Sequence, residues 1–151
     1  MGELSLCLPK EFYERFKDNP EGAREEAFKH GQEMSQFLLR KLGIEGNNLE
    51  TIAAILNEFQ KIVQGQPNAK VEGNRVTMRC IGLCPIMRAA LTLNIPWTWL
   101  DDNFALPMFQ GMTSLIMPDI KLRLVSAKSR GDPACIYIFE VDRGQNKPNA
   151  Q

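Results

Sequence analysis

Between residues 21 and 42 apolar side chains recur every three or four positions. Ala27, Met34, Phe37, Leu38 and Leu42 fall on one broad face, and Glu, Lys, Gln and Arg fill the other. This predicts a long amphipathic helix closed by Gly43. A second helical run follows, with Leu49, Ile52, Ala53, Leu56, Phe59, Ile62 and Val63 on its apolar face. Asn47 or Asn48 is suited to cap it, and Gly65-Gln66-Pro67 ends it. Ahead of both, Phe12 and Phe16 predict a short helix around residues 11–17, broken off at Asn19-Pro20.

The period then changes. Val76, Met78 and Cys80 alternate with Arg75, Thr77 and Arg79, as in a half-exposed strand. Ala69-Lys70-Val71 pairs with it across Glu72-Gly73-Asn74, a hairpin turn. Cys84-Pro85 opens another helix, whose buried face is Ile86, Met87, Ala90 and Leu91, and Pro96 breaks it. Residues 97–117 are apolar and helical in character, with Pro107 and Gly111 as kinks or stops. Ile120, Leu122 and Leu124 alternate against Lys121 and Arg123. A turn at Gly131-Asp132-Pro133 leads into a last strand over residues 135–141. Strands that come as hairpins predict an α+β domain, an antiparallel sheet with helices packed on it. The organisation read here is a lead-in over residues 1–20, one domain over 21–141 and a polar tail over 142–151.

Length and charge narrow the classes of function. A chain of 151 residues fits one domain. Its 18 basic and 18 acidic residues give zero net charge, which argues against direct nucleic-acid binding. Neutrality also does little for solubility, so burial of a surface in a homodimer is expected. No apolar run reaches the roughly 18 residues of a membrane span. The first ten residues lack the pattern of a signal peptide, and the four cysteines are then expected as reduced thiols in a cytoplasm.

Several residue groups carry candidate chemistry. Cys80 and Cys84 are separated by three residues, and Cys135 approaches from the other hairpin. Together they are weak candidates for zinc, which wants four ligands in a structural site. The alternative is that Cys80 and Cys135 are small buried hydrophobes. Cys84 sits at a helix start, where partial positive charge favours a thiolate, with Arg79 and Arg88 close in sequence. It is either a reactive, ligand-contacting thiol or a plain cysteine before Pro85. His30, the one histidine, must serve any His-dependent mechanism; otherwise it is a packing residue of its helix. Asp101 and Asp102 either share a proton or hold a cation, or they cap the helix that follows. Met87, Leu91, Trp97, Trp99, Phe104, Met108 and Met112 hold more apolar surface than one helix face buries. They predict a pocket near Cys84 for a small apolar molecule, a dimer surface, or simply core. Glycine-rich phosphate loops, HExxH zinc sites and Gly-x-Ser-x-Gly elbows are absent.

Over residues 21–141 the chain resembles the 4-vinyl reductase domain, a hydrocarbon-binding sensor domain, and the related aminothiazoline-carboxylate hydrolase-like family. The resemblance rests on Ala27-Phe28-Lys29-His30-Gly31, on Cys84-Pro85, on Trp99-Leu100-Asp101-Asp102 and on Gly131-Asp132-Pro133-Ala134-Cys135. It implies a dimeric domain around an apolar small-molecule pocket. In some members it also implies zinc held by three cysteines and a glutamate. Here Cys135 matches the last of those positions, while Ala127, Leu124 and Leu100 stand at the others. The expected function is therefore a small-molecule-binding or sensory domain. The alternatives are a small hydrolase or thiol enzyme using Cys84, with Asp101 or Asp102 orienting substrate, and a Cys-ligated metal protein.

Overall fold

The computed structural model describes residues 7–63, 66–80 and 85–142, with the side chains of all of these except 7–9, 85–87 and 89. The architecture is α+β, as the hairpins predict. Helix α1 spans Cys7–Phe16 and α2 spans Pro20–Leu42. Between them the Asn19 side chain accepts from the Gly22 N–H at 3.1 Å and Pro20 takes the first helical position, so the break is also a helix start. Gly43 closes α2 at φ 65°, a left-handed cap that favours glycine. Helix α3, Leu49–Val63, begins where Asn48 Oδ1 accepts from both the backbone N–H and the hydroxyl of Thr51, each at 2.9 Å.

Strands β1 (Ala69–Glu72), β2 (Arg75–Cys80), β3 (Lys121–Ser126) and β4 (Cys135–Glu140) form one antiparallel sheet in the order β1-β2-β4-β3. The two hairpins thus join through β2 and β4. Val76 lies opposite Phe139, Met78 opposite Tyr137 and Cys80 opposite Cys135, all on the helix-covered side. Helix α3 covers β1 and β2, and α6 (Leu106–Ser114) packs on β3 and reaches β4 through Phe109. Phe109 of α6 sits at the centre, with its ring centroid 5.5 Å from Phe59, 4.9 Å from Tyr137 and 6.4 Å from Phe139.

The seam between α2 and α6 is a close one. Small residues Ala23, Ala27, Gly31 and Ser35 repeat every four positions along α2 and are fully buried or nearly so. A Cβ on Gly31 would lie 2.0 Å from the Met108 carbonyl oxygen, and one on Gly111 would lie 2.0 Å from that of Phe28. Gly111 is therefore not the kink or stop that its position in the sequence suggests. It is where two backbones touch. Arg24 Nη1 donates to Asn103 Oδ1 at 2.9 Å, and Gln32 reaches Ser114 at 3.5 Å, so the two helices run in the same direction.

Three further expectations change. Leu91 was expected on the buried side of α4 (Pro85–Leu93), yet it is 64% exposed. Helix α4 packs on α1 and α5 (Trp97–Leu100), and Ala90 is buried; the next residue is turned about 100° away, into solvent. Asp101 and Asp102 cap nothing. Asp101 has helical φ and ψ, and the chain runs on from α5 into a π-helical turn, Asp101–Ala105, and then α6. Pro107 gives the reason: a proline inside a helix offers no N–H and crowds the carbonyl four residues back. Opening the helix to a wider turn just before it, with the Leu106 N–H on the Asp101 carbonyl, accommodates the ring without a break. Helix α1 also starts four residues earlier than residue 11.

Candidate functional site

Asp101 is presented by the π turn, beside the loop that joins β3 to β4. That loop is built by the Gly-Asp-Pro-Ala-Cys stretch. A bulge at Leu124/Ser126 first bends β3, with Val125 turned outward. A single 3₁₀ turn, Lys128–Arg130, follows and ends on Gly131 at φ 94°. Asp132 clasps Ala127 twice: its Oδ2 accepts from the Ala127 N–H at 2.9 Å, and its own N–H donates to the Ala127 carbonyl at 3.1 Å. Cys135 Sγ accepts from the Lys128 N–H at 3.4 Å. The Arg130 guanidinium donates back to the Leu124 carbonyl at 3.1 Å. These bonds fix the residues on either side of Ser129, whose hydroxyl donates to Asp101 Oδ2 at 2.6 Å.

The result is a cleft of about 290 Å³ lined by Thr98, Asp101, Asp102, Leu106, Leu124, Ser129 and Arg130. Asp101 is 3% exposed, while Asp102 and Arg130 are exposed. Burial, which penalises the charged form, pushes the Asp101 carboxyl above its ordinary pKa; Asp102 adds to this, and Ser129 and the Arg130 charge oppose it. The carboxylate is answered, among the described residues, by a hydroxyl and not by an ion pair. A buried acid in that state gains from a proton or from a donor brought by a ligand.

The other sequence candidates are spread out. His30 borders a separate cleft of about 150 Å³ with Glu11, Phe12, Arg15, Phe16, Glu26 and Phe104. Its ring stacks 6.4 Å from Phe104, and burial lowers its pKa against the opposing pull of Glu33 and Glu26. The π turn thus separates two clefts, with Asp101 and Asp102 toward one and Phe104 toward the other. Cys84 lies outside the described residues, as does the side chain of Met87. Met108 and Met112 are buried in the core with Phe104, Trp97 and Trp99 are half-buried, and Leu91 is on the surface. Trp99 packs edge-on against Phe12 and Tyr13, at 6.1 and 4.9 Å between centroids.

Cys80 and Cys135 face each other across β2 and β4, and Gln60 Nε2 donates to Cys80 Sγ at 3.6 Å. The zinc set implied by the resemblance does not fit these residues. Of its four positions, only Cys135 is a donor, and Ala127, Leu124 and Leu100 supply none. No group of three or more His, Cys, Asp or Glu suited to a metal lies together among the described residues.

Ser129 and Arg130, with Thr98, Leu106 and Leu124, are the site residues that sequence reading missed. Nothing local in the sequence connects Ser129 to a carboxylate 28 residues earlier. No helix of the described residues is long and apolar enough to cross a membrane. No protein-family model matches the chain, and no curated protein matches it.

Proposed function

We propose that this chain is a small-molecule-binding domain whose ligand lodges between the π turn and the closing hairpin, against Asp101, Ser129 and Arg130. The observation that carries this reading is the nearly inaccessible Asp101 carboxyl held, among the described residues, only by a hydroxyl at the wall of an open cleft. Buried titratable groups with shifted proton affinity gather at functional sites. A helix opened by a π turn is a frequent setting for them. The α+β architecture supports the sensor-like domain class that the resemblance implies. The ligand favoured by this lining is small and polar, with a donor for Asp101 and an acceptor for Arg130. At about 290 Å³ the cleft is at the small end of ligand sites.

The test is an amide-shift titration by NMR against small polar fragments: amides, alcohols, amidines and carboxylic acids. Shifts should gather at Thr98, Asp102, Leu106, Leu124 and Ser129. Shifts gathered instead beside Lys61 and Lys70, which line a more open cleft of about 480 Å³, would contradict it. An aliphatic probe that perturbs Met108 and Met112 while polar fragments do nothing would restore the apolar pocket expected from the sequence.

A further inference from the structure

We propose that Ser129 and Asp101 act in this cleft as nucleophile and general base, and that the protein hydrolyses small esters; the inference rests on the cleft being the ligand site. Three features of the geometry point to it. The hydroxyl-to-carboxylate distance of 2.6 Å is within the reach expected of a nucleophile and its base. Ser129 and Asp101 both line the open cleft, and Ser129 is the more exposed of the two, so its hydroxyl is within reach of a bound carbonyl. Each partner is held by its own scaffold: the π turn holds Asp101, and the Asp132 and Cys135 bonds hold the loop of Ser129. A carboxylate of ordinary proton affinity is a poor base for a hydroxyl. Burial raises that of Asp101 toward the range where such a base works. The Arg130 guanidinium and the Thr98 hydroxyl line the same cleft and are the donors available to a developing oxyanion.

The step balances with water as the only co-reactant. Ser129 Oγ bonds to the ester carbonyl carbon as its proton passes to Asp101 Oδ2. The carbon–alkoxide bond then breaks, and the alkoxide leaves as alcohol with that proton. Water attacks the acyl-serine with Asp101 again taking the proton. Release of the carboxylic acid returns the proton to Ser129 Oγ.

The experiment uses a fluorophosphonate, which is displaced at phosphorus by an activated serine with loss of fluoride, and 4-nitrophenyl acetate as substrate. Peptide mapping should place the label on Ser129. Ser129→Ala should abolish labelling, and Asp101→Asn should slow it roughly 100-fold. In the unaltered protein the labelling rate should rise with pH through the Asp101 titration, a dependence that Asp101→Asn removes; this separates a base from a merely structural contact. Circular dichroism on both variants distinguishes loss of chemistry from loss of fold. Ser129 unlabelled in the folded protein, or Asp101→Asn labelling at the original rate, overturns the proposal. Fragment shifts at the cleft that persist while Ser129 stays unlabelled would leave the binding reading standing and remove only the hydrolase.

Discussion

Glu58 and Asp101 are two acids with little exposed surface, 8% and 3%, and their surroundings pull them in opposite directions. Glu58, on α3, is bonded by Lys41 at 2.5 Å and by Lys61 at 3.3 Å. Their bonds hold its carboxyl below the usual range. Asp101 meets a hydroxyl and a neighbouring aspartate, and burial holds its carboxyl above the usual range. The first arrangement fastens α2 to α3. The second leaves an acid under-satisfied at a cleft, a state worth keeping where a ligand or a proton is to be handled.

The two acids also differ in how they depend on pH. The folded-state pKa of Glu58 is depressed, so its contribution is present above its unfolded pKa, near 4.5, and is lost as pH falls below that. The folded-state pKa of Asp101 is raised from 3.8. Its charged form therefore weighs against the fold once pH climbs through the raised value, and the penalty is absent below 3.8.

The largest expected effect comes from the seam behind Asp101. Gly111→Ala drives a methyl into the Phe28 carbonyl and must shift α6, and with it the π turn. Urea unfolding should show a loss of roughly 1–3 kcal/mol or more. Carboxyl NMR should show Asp101 moving toward ordinary titration while Glu58 keeps its depressed value. Next in size is a pair of neutral isosteres with opposite signs. At pH 7, Glu58→Gln should lower the thermal midpoint and Asp101→Asn should raise it, since an Asn oxygen still accepts from Ser129 without a buried charge. Repeated near pH 3, both differences should shrink. Two substitutions of the same sign at pH 7 would break the comparison. The smallest effect is that of salt. Raising sodium chloride from about 0.1 M to about 1 M shortens the screening length from about 10 Å to about 3 Å. The gap between Glu58→Gln and the unaltered protein should narrow, because Lys41 and Lys61 are half-exposed. The Asp101→Asn gap should stay as it was.

Much of the frame was legible because its causes are local. The amphipathic periods of α2 and α3, the caps at Gly43 and Asn48, and the alternation in β2 and β3 each act within a few residues. Pro107 announced an irregularity, but its form, a π turn that keeps the helix continuous, is set by the packing of α6 against α2. Gly111 read as a stop because a glycine's need for close approach cannot be told from a need for unusual φ without its neighbour, Phe28. Asp101 and Asp102 were singled out as a pair, yet the pairing that matters joins Asp101 to Ser129 across 28 residues, through a bulge, a 3₁₀ turn and the Asp132 clasp. Gly-Asp-Pro-Ala-Cys entered the sequence reading as a turn and as part of a family resemblance. Its part is to hold the loop that presents Ser129, and its cysteine accepts a backbone bond.

The most direct measurement is a carboxyl-carbon NMR titration that resolves Asp101 and Glu58 in the same sample. The account predicts that Asp101 titrates above 3.8 and Glu58 below 4.5, and that Ser129→Ala moves Asp101 higher still while leaving Glu58 in place. An Asp101 midpoint at or below 3.8, unmoved by loss of the Ser129 hydroxyl, would contradict it.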